Sequence, residues 1–360
     1  MDQKGNKFKN LLKRWFIDAF SGMAMGLFAT LLIGLIIKQI GTLIGSDTLL
    51  GSTLIVCGQI ASSLMGAGIG AGIARALKAD KLVLFSSIVA GFMGAHANAI
   101  ISGTFVVNGA LASVGAGEPI GAYVAALISC EIGLLVSGKT KLDIILIPLC
   151  TIITALLVVF FICPGVILAI NFVSSLILMA TELQPFLMGI IISVAVGILL
   201  TMPTSSAAIC ISLKLGGIAG GAAVVGCAAH MIGFAVQSFR ENRFAGLIAQ
   251  GIGTSMLQIP NVFKKPIIML PPIIASAITG PMATCLFKIT CDAAGSGMGT
   301  SGLVGVISTI SASAGTMDTF MLVLAIVLLF FIIPAVVCLA LSEIMRKKGI
   351  INYGDMALDL

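Results

Sequence analysis

"TELQPFLMGIIISVAVGILLTMPTSSAAI", residues 181–209, sets a glutamate and a proline ahead of an apolar run and then interrupts the run with Met202-Pro203-Thr204-Ser205-Ser206. The run is close to the ~20 residues a helix needs to cross a bilayer. Pro203 ends such a helix, because proline has no amide donor and its ring clashes with the preceding turn. Thr204, Ser205 and Ser206 can then cap a new helix starting near Ala207. In lipid, the free amides of a helix start are tolerated only where protein or water satisfies them. The stretch therefore has two readings. Either 203–214 is a re-entrant or discontinuous helix lining a wet cavity, or it is an ordinary turn between spans with Lys214 as a surface charge.

Composition favours lipid as the solvent. The chain has 360 residues, 59% hydrophobic and 9% charged, with a mean hydropathy of +1.18. Soluble domains carry roughly 25% charged residues, so too few are present to cover a water-facing surface. Long apolar runs such as 142–170 and 318–341 recur. β-Branched residues fall in runs without alternation and aromatics are scarce, which argues against a transmembrane barrel. The 42 glycines suit close helix packing and broken helices. An all-α polytopic membrane bundle is the expected fold class.

The nine cysteines form no CxxC and no pairing with histidine. Cys57, Cys150, Cys163, Cys227 and Cys338 lie inside apolar runs, where a thiol acts as a small hydrophobe. No metal site or cofactor is expected. The formal charge of +6 comes from basic residues in short flanks between spans. Membrane orientation explains that placement, and nucleic acid does not. The first apolar run, 19–37, is too long for a signal-peptide core and lacks an A-x-A site, so it is read as the first span.

Along the chain, "KFKNLLKRWFI" (7–17) places Phe8, Leu11, Leu12, Trp15 and Phe16 on one helical face, with Lys7, Lys9, Lys13 and Arg14 opposite. This predicts an amphipathic basic helix over 1–17 on the inner leaflet, with Trp15 at headgroup depth. About ten spans follow, near 18–40, 50–76, 82–101, 118–137, 143–166, 184–202, 216–239, 244–259, 266–288 and 318–343. The Gly- and Gln-containing 244–259 is admitted as a crossing partly because it lets basic flanks alternate correctly. With it, 16 of 20 basic residues fall inside, leaving Lys38, Arg240, Arg243 and Lys288 outside, and both termini are cytoplasmic. The chain divides into an N-terminal membrane half, 18–170, an amphipathic connector, 171–183, a C-terminal half, 184–345, and a cytoplasmic tail, 346–360. The seam follows Pro164-Gly165.

An ionisable group inside a span costs about 2.5–3.5 kcal/mol on insertion scales and needs a partner or an aqueous cavity. Few are present: His96, Glu131, Glu182, Lys214 and His230. They concentrate around irregular backbone in the second half. "SFRENRFAGLIAQGIGTSMLQIPN" (238–261) is Gly-interrupted and carries Gln250, Thr254, Ser255, Gln258 and Asn261. "AGSGMGTSGLVGVISTISASAG" (294–315), with Thr300 and Ser301, is either a re-entrant loop approaching a ligand or a flexible external one. His230, near Gln237, reads as a hydrogen-bonding or proton-handling group, or as a polar clasp between helices. His96 with Asn98 reads as structural, and Glu131 as paired with a basic flank. Glu182 precedes the Pro185 helix start and either dips into a cavity or lies on the surface. The residues expected to face a solute are Glu182, Thr204, Ser205, Ser206, His230, Gln237, Gln250, Thr254, Ser255, Asn261, Thr300 and Ser301. Amides and carboxylates suit sugar hydroxyls because they donate or accept hydrogen bonds directionally.

"GAYVAALISCEIGLLVSGKTKLDIILIPL", "ATELQPFLMGIIISV", "LTMPTSSAAI", "GFAVQSFRENRFAGLIAQGIGTSMLQIPN" and "GMGTSGLVG" together resemble the EIIC membrane subunits of the bacterial phosphotransferase system. Within these they are most similar to the stand-alone branch that includes PfoR-type regulators. The resemblance implies a bacterial inner-membrane sugar permease acting as a homodimer, the first half dimerising and the second binding carbohydrate. It matches Glu182, in "TELQPFLMG", to a glutamate that hydrogen-bonds sugar, although the usual Gly-x-x-x-Glu context is absent. It also implies that separate EIIA and EIIB proteins deliver the phosphoryl group, since no exposed Cys in a glycine cradle and no phosphohistidine domain is evident. The chain would then supply positioning and no catalytic residue. Two other roles fit the same residues: a membrane sensor that keeps the fold without transport, and a cation-coupled transporter with His230 and Glu131 as proton carriers.

Overall fold

The computed structural model describes residues 10–107, 110–111 and 115–358. These are almost wholly helical, with one pair of two-residue antiparallel strands, Val106–Val107 and Ala110–Leu111. Among the described residues seven helices are long and apolar enough to cross a membrane, or eight if one bent pair counts as a single span. The chain divides into two compact units between Ala169 and Ile170.

The first unit contains α1 (Asn10–Ile44), a pair bent by 49°, α2 (Leu49–Ser63) and α3 (Met65–Ala76), then the shorter α4 (Lys81–Ala95), α5 (Pro119–Val136) and α6 (Asp143–Phe161). Its helices pack backbone to backbone where small residues face each other. A Cβ at Gly26 would fall on the backbone of Gly68, so α1 and α3 can meet only if both lack side chains there. Residues 1–9 of the expected interfacial helix lie outside the described residues. From Asn10 the helix runs without a break into the first span. Trp15 is not a free headgroup anchor. Its Nε1 donates to Glu131 at 3.1 Å, Arg14 Nε donates to the same carboxylate at 2.7 Å, and Tyr123 donates to the Trp15 carbonyl at 2.6 Å. Glu131 is thus paired with the basic flank.

The division falls inside α7 (Cys163–Ala180), which takes up the stretch read as an amphipathic connector. It is apolar enough to span and only 17% of its most apolar stretch is buried. Pro164 does not break it, because proline in the first helical turn sacrifices no intrahelical bond.

The second unit surrounds α10 (Gly217–Gln237), whose most apolar stretch is 83% buried. Against it pack α8 (Pro185–Thr201), α13 (Pro266–Phe287) and α15 (Thr319–Lys347), with the short α9 (Ser206–Ser212) between α8 and α10. Between α10 and α13 come α11 (Phe239–Ile248), a widened turn at Ala249–Gly253, a tight turn at Ser255–Gln258 and α12 (Ile259–Lys264). Between α13 and α15 lies a glycine-rich loop followed by α14 (Val304–Ser313).

Polar contacts identify the two ends of this unit. At one end Arg240 pairs with Glu343 at 2.7 Å, Arg346 with Glu241 at 2.8 Å and Lys265 with Asp355 at 2.5 Å. At the other, Thr284 donates to the Pro185 carbonyl at 2.8 Å, the Cys291 amide bonds Gly217 at 3.2 Å, and Ser313 Oγ donates to Thr290 at 3.0 Å. The segment 238–265 therefore leaves and returns at the first end. This corrects the expected crossing at 244–259, which forms no helix of spanning length, is broken at Thr254 and is flanked by further breaks at Arg243 and Lys265. Arg240 and Arg243 consequently lie on the same side as Arg346, not opposite it. The loop after Cys291 likewise starts and finishes at the second end.

Candidate functional site

Three interruptions converge on α10. The first is the Pro203 break. Met202 is extended, as a residue before proline prefers, and Ser205 caps α9 by accepting from the Ala208 amide at 3.3 Å. The expected capped restart is therefore present, and α9 heads back toward the end at which α8 began. Thr204 Oγ1 donates to the Leu199 carbonyl at 2.9 Å, and Ser206 Oγ donates to Gly297 at 2.7 Å. The Ser206 hydroxyl thus ties α9 to the loop after Cys291.

The second interruption is the glycine-rich loop, which is packed inside the unit and is not an external flap. Gly297, Gly299, Thr300, Ser301 and Gly302 are all buried. Gly299 has φ +55, and a Cβ there would lie 2.7 Å from the Ala228 amide of α10, so glycine alone fits. The third is 249–258, arriving from the opposite end. It meets the loop where Thr300 Oγ1 donates to the Gly251 carbonyl at 2.6 Å.

At the convergence, Thr201 Oγ1 lies 2.9 Å from His230 Nδ1 and 2.8 Å from Ser255 Oγ. All three side chains are fully buried. His230 Nε2 has no hydrogen-bond partner, nor does Gln237 Oε1, two turns further along the same helix face. Gln237 Nε2 is engaged by the Ile268 carbonyl at 3.1 Å. Most buried polar atoms in folded proteins are paired, and exceptions point to water, an ion or a ligand. This cluster offers a ring nitrogen and an amide oxygen to such a group, beside hydroxyls that can donate or accept. Among the described residues no group of His, Cys, Asp and Glu has a metal-holding arrangement.

A second buried network runs from the same segment toward the end of the unit. Gln250 Nε2 donates to Ser238 Oγ at 2.9 Å, Gln258 to Gln250 Oε1 at 2.9 Å and Asn261 to Gln258 Oε1 at 2.8 Å. Gln250 and Asn261 are therefore spent on structure. Thr254 is too, accepting from the Met256 amide at 3.2 Å. Ser301 is buried beside Gly302.

Glu182 occupies an exposed turn ahead of α8. The 17 residues of α8 separate it from Thr201 by about 25 Å at 1.5 Å per residue. Glu182 and the His230 cluster are not one site. Sequence reading missed Thr201 and Asn242. Thr201 could have been found as the last hydroxyl before a proline break, the position nearest any cavity the break opens.

A family model described as "Phosphotransferase system, EIIC" matches residues 17–358, nearly the whole chain. No curated protein and no solved structure matches.

Proposed function

Because the chain belongs to the phosphotransferase system EIIC family, we propose that it is a sugar permease whose carbohydrate site is centred on His230, Thr201, Ser255 and Gln237. Separate EIIA and EIIB proteins supply the phosphoryl group. One observation carries the reading: segments dipping from opposite ends of the second unit meet beside a buried ring nitrogen that has no partner. Broken helices meeting at depth are where membrane carriers bind solutes, since irregular backbone is tolerated there only against protein or an aqueous cavity. A sugar is a dense array of paired donors and acceptors, and this lining is hydroxyl, imidazole and amide with no fixed charge.

The end bearing Arg240, Arg243, Lys264, Lys265, Arg346, Lys347 and Lys348 is the cytoplasmic one by the positive-inside rule. Only Lys214 and Lys288 mark the other end. On this orientation Glu182 sits at the outer mouth, Thr204, Thr254, Ser301 and Asn261 support the dipping segments, and the phosphoryl donor approaches from the strapped end. We further propose a homodimer, through the first unit.

The test is uptake of labelled sugars into membrane vesicles with and without a phosphoenolpyruvate-driven relay, alongside sugar binding to the purified chain. Relay-dependent uptake that is lost with His230→Gln supports the permease. Binding without uptake makes the protein a receptor, and uptake driven by a proton gradient alone makes it a cation-coupled carrier.

A further inference from the structure

Residues 349–358 return across the end of the second unit that bears Arg346 and supply main-chain partners to its dipping segment. Gln258 Nε2 and Asn242 Nδ2 donate to the Met356 carbonyl at 3.0 and 2.8 Å, and Asn261 Nδ2 donates to that of Ala357 at 2.8 Å. The Leu358 amide donates back to Asn242 Oδ1 at 2.8 Å. Ile351 and Met356 are buried in one apolar cluster with Phe234, Val262, Ile268 and Met345. Lys265 pairs with Asp355, whose carboxylate also accepts from the Asn352 amide at 2.6 Å.

Two features distinguish this from an ordinary docked tail. The strap is bonded to the same Gln258 and Asn261 whose network leads through Gln250 to the segment carrying Ser255. Next to the clamped Asn242, Arg243 has φ 51 and ψ −149, a conformation that a residue with a side chain rarely adopts. Such a backbone persists only where its surroundings hold it, and here the strap is one of the holders.

We infer that residues 349–358 form a latch that holds 238–265 in its inserted position, and that release of the latch opens the cytoplasmic route to the Thr201–His230–Ser255 cluster. The purpose of that route rests on the permease reading; the latch itself does not. When the strap leaves, Asn242, Gln258 and Asn261 lose their main-chain partners together and Arg243 can relax. The segment then loosens as a unit, while α8 and α10, which meet the strap's cluster through apolar side chains such as Ile198 and Phe234 and keep their own helical hydrogen bonds, stay in place.

Hydrogen exchange of the full chain in lipid nanodiscs tests this without any sugar. In Asp355→Asn, amides of 246–262 should exchange about twofold to fivefold faster, with those of α8 and α10 unchanged. Asn242→Ala should do the same more strongly. If it fails to fold, alkylation replaces it, read by mass spectrometry at a cysteine placed at Ser255. Labelling at that cysteine should speed up severalfold with Asp355→Asn when the reagent is added from the cytoplasmic side only. Freed strap amides with unchanged exchange at 246–262, or faster exchange that includes α10, would overturn the latch. Absence of sugar uptake by the wild type with exchange behaving as expected would count against the permease and leave the latch standing.

Discussion

The two units solve the same solvent problem by different means. In the first, near-continuous helices satisfy their own amides, and contact is made through small residues such as Gly26 against Gly68. Its main polar side-chain focus is Glu131 with Arg14 and Trp15, near the chain's entry into the membrane. In the second, α8, α11–α12 and the loop after Cys291 all break within the unit, and each break consumes side-chain hydrogen bonds from Ser, Thr, Asn and Gln. Regular helices can be mostly apolar because the backbone looks after itself. A broken helix needs buried polar side chains merely to exist, so their presence alone does not mark a ligand site. An unspent polar atom alone does not mark it either, since His96 Nε2 and Ser129 Oγ in the first unit and Arg346 Nε in the second are also buried without a partner. What marks it is His230 Nε2 left unspent where segments from both ends of the unit meet, with Gln237 Oε1 on the same helix face.

The largest test of this contrast compares the ion pairs. Arg346–Glu241 has side chains only 9% and 1% exposed, against 35% and 24% for Arg14–Glu131. Glu241→Gln leaves a buried guanidinium short of its counter-charge and should cost about 3–5 kcal/mol. Glu131→Gln should cost about 1 kcal/mol or less. Thermal unfolding in detergent ranks the two, and an equal loss would erase the distinction between the units.

Next in size are two glycines of positive φ. Gly299→Ala puts a Cβ against α10 backbone that cannot yield, and overpacking together with strain should cost about 3 kcal/mol. Gly138→Ala, φ +77 with nothing within 4 Å, meets only the backbone term, about 1 kcal/mol. Comparable melting shifts would mean that the glycine-rich loop is not seated against α10.

Third comes the site. His230→Gln keeps a polar side chain but misplaces it, and sugar affinity should fall about tenfold or more, the equivalent of one lost hydrogen bond. Glu182→Gln, about 25 Å away along α8, should change affinity less than about twofold. Titration calorimetry on both variants decides which residue belongs to the site, and the reverse order would return it to the outer mouth.

What was legible from the sequence follows the same line. Composition and run length identify a helical membrane bundle because lipid permits little else. The Pro203 break and its Ser205 cap are local chemistry and could be placed to within a residue or two. Two readings failed where local signals carried two meanings. Pro164 breaks a helix interior but suits a helix start, and the sequence expects a span ending at 166 and an amphipathic connector over 171–183 where the structure has α7. Segment 244–259 was admitted as a crossing to alternate the basic flanks, yet Arg240 and Arg243 join Arg346 once Glu241 and Glu343 are placed. The site was half legible. His230, Gln237 and Ser255 stood out as polar residues in apolar surroundings, but their meeting with Thr201 depends on how far α8 travels, which spacing alone does not fix. Glu182 drew attention by its charge, and a charge beside a proline helix start is as much at home on a surface.

The smallest effect sharpens the contrast at the strap. Asp355 is partly buried, which alone would raise its pKa, but the bonds from Lys265 and the Asn352 amide outweigh this and hold it below the ordinary 3.8. A carboxyl with a depressed folded pKa contributes stability that is complete above its unfolded value and vanishes as pH falls through the folded one. The difference in stability between the wild type and Asp355→Asn should therefore be flat from about pH 5 to 8 and close only below the 3.8 of a free carboxyl. Its size should be about 0.2–1 kcal/mol, since the pair is partly wet, and should shrink with added salt. A larger difference that instead varied between pH 5 and 8 would mean that another titrating group, and not this carboxylate, fastens the strap.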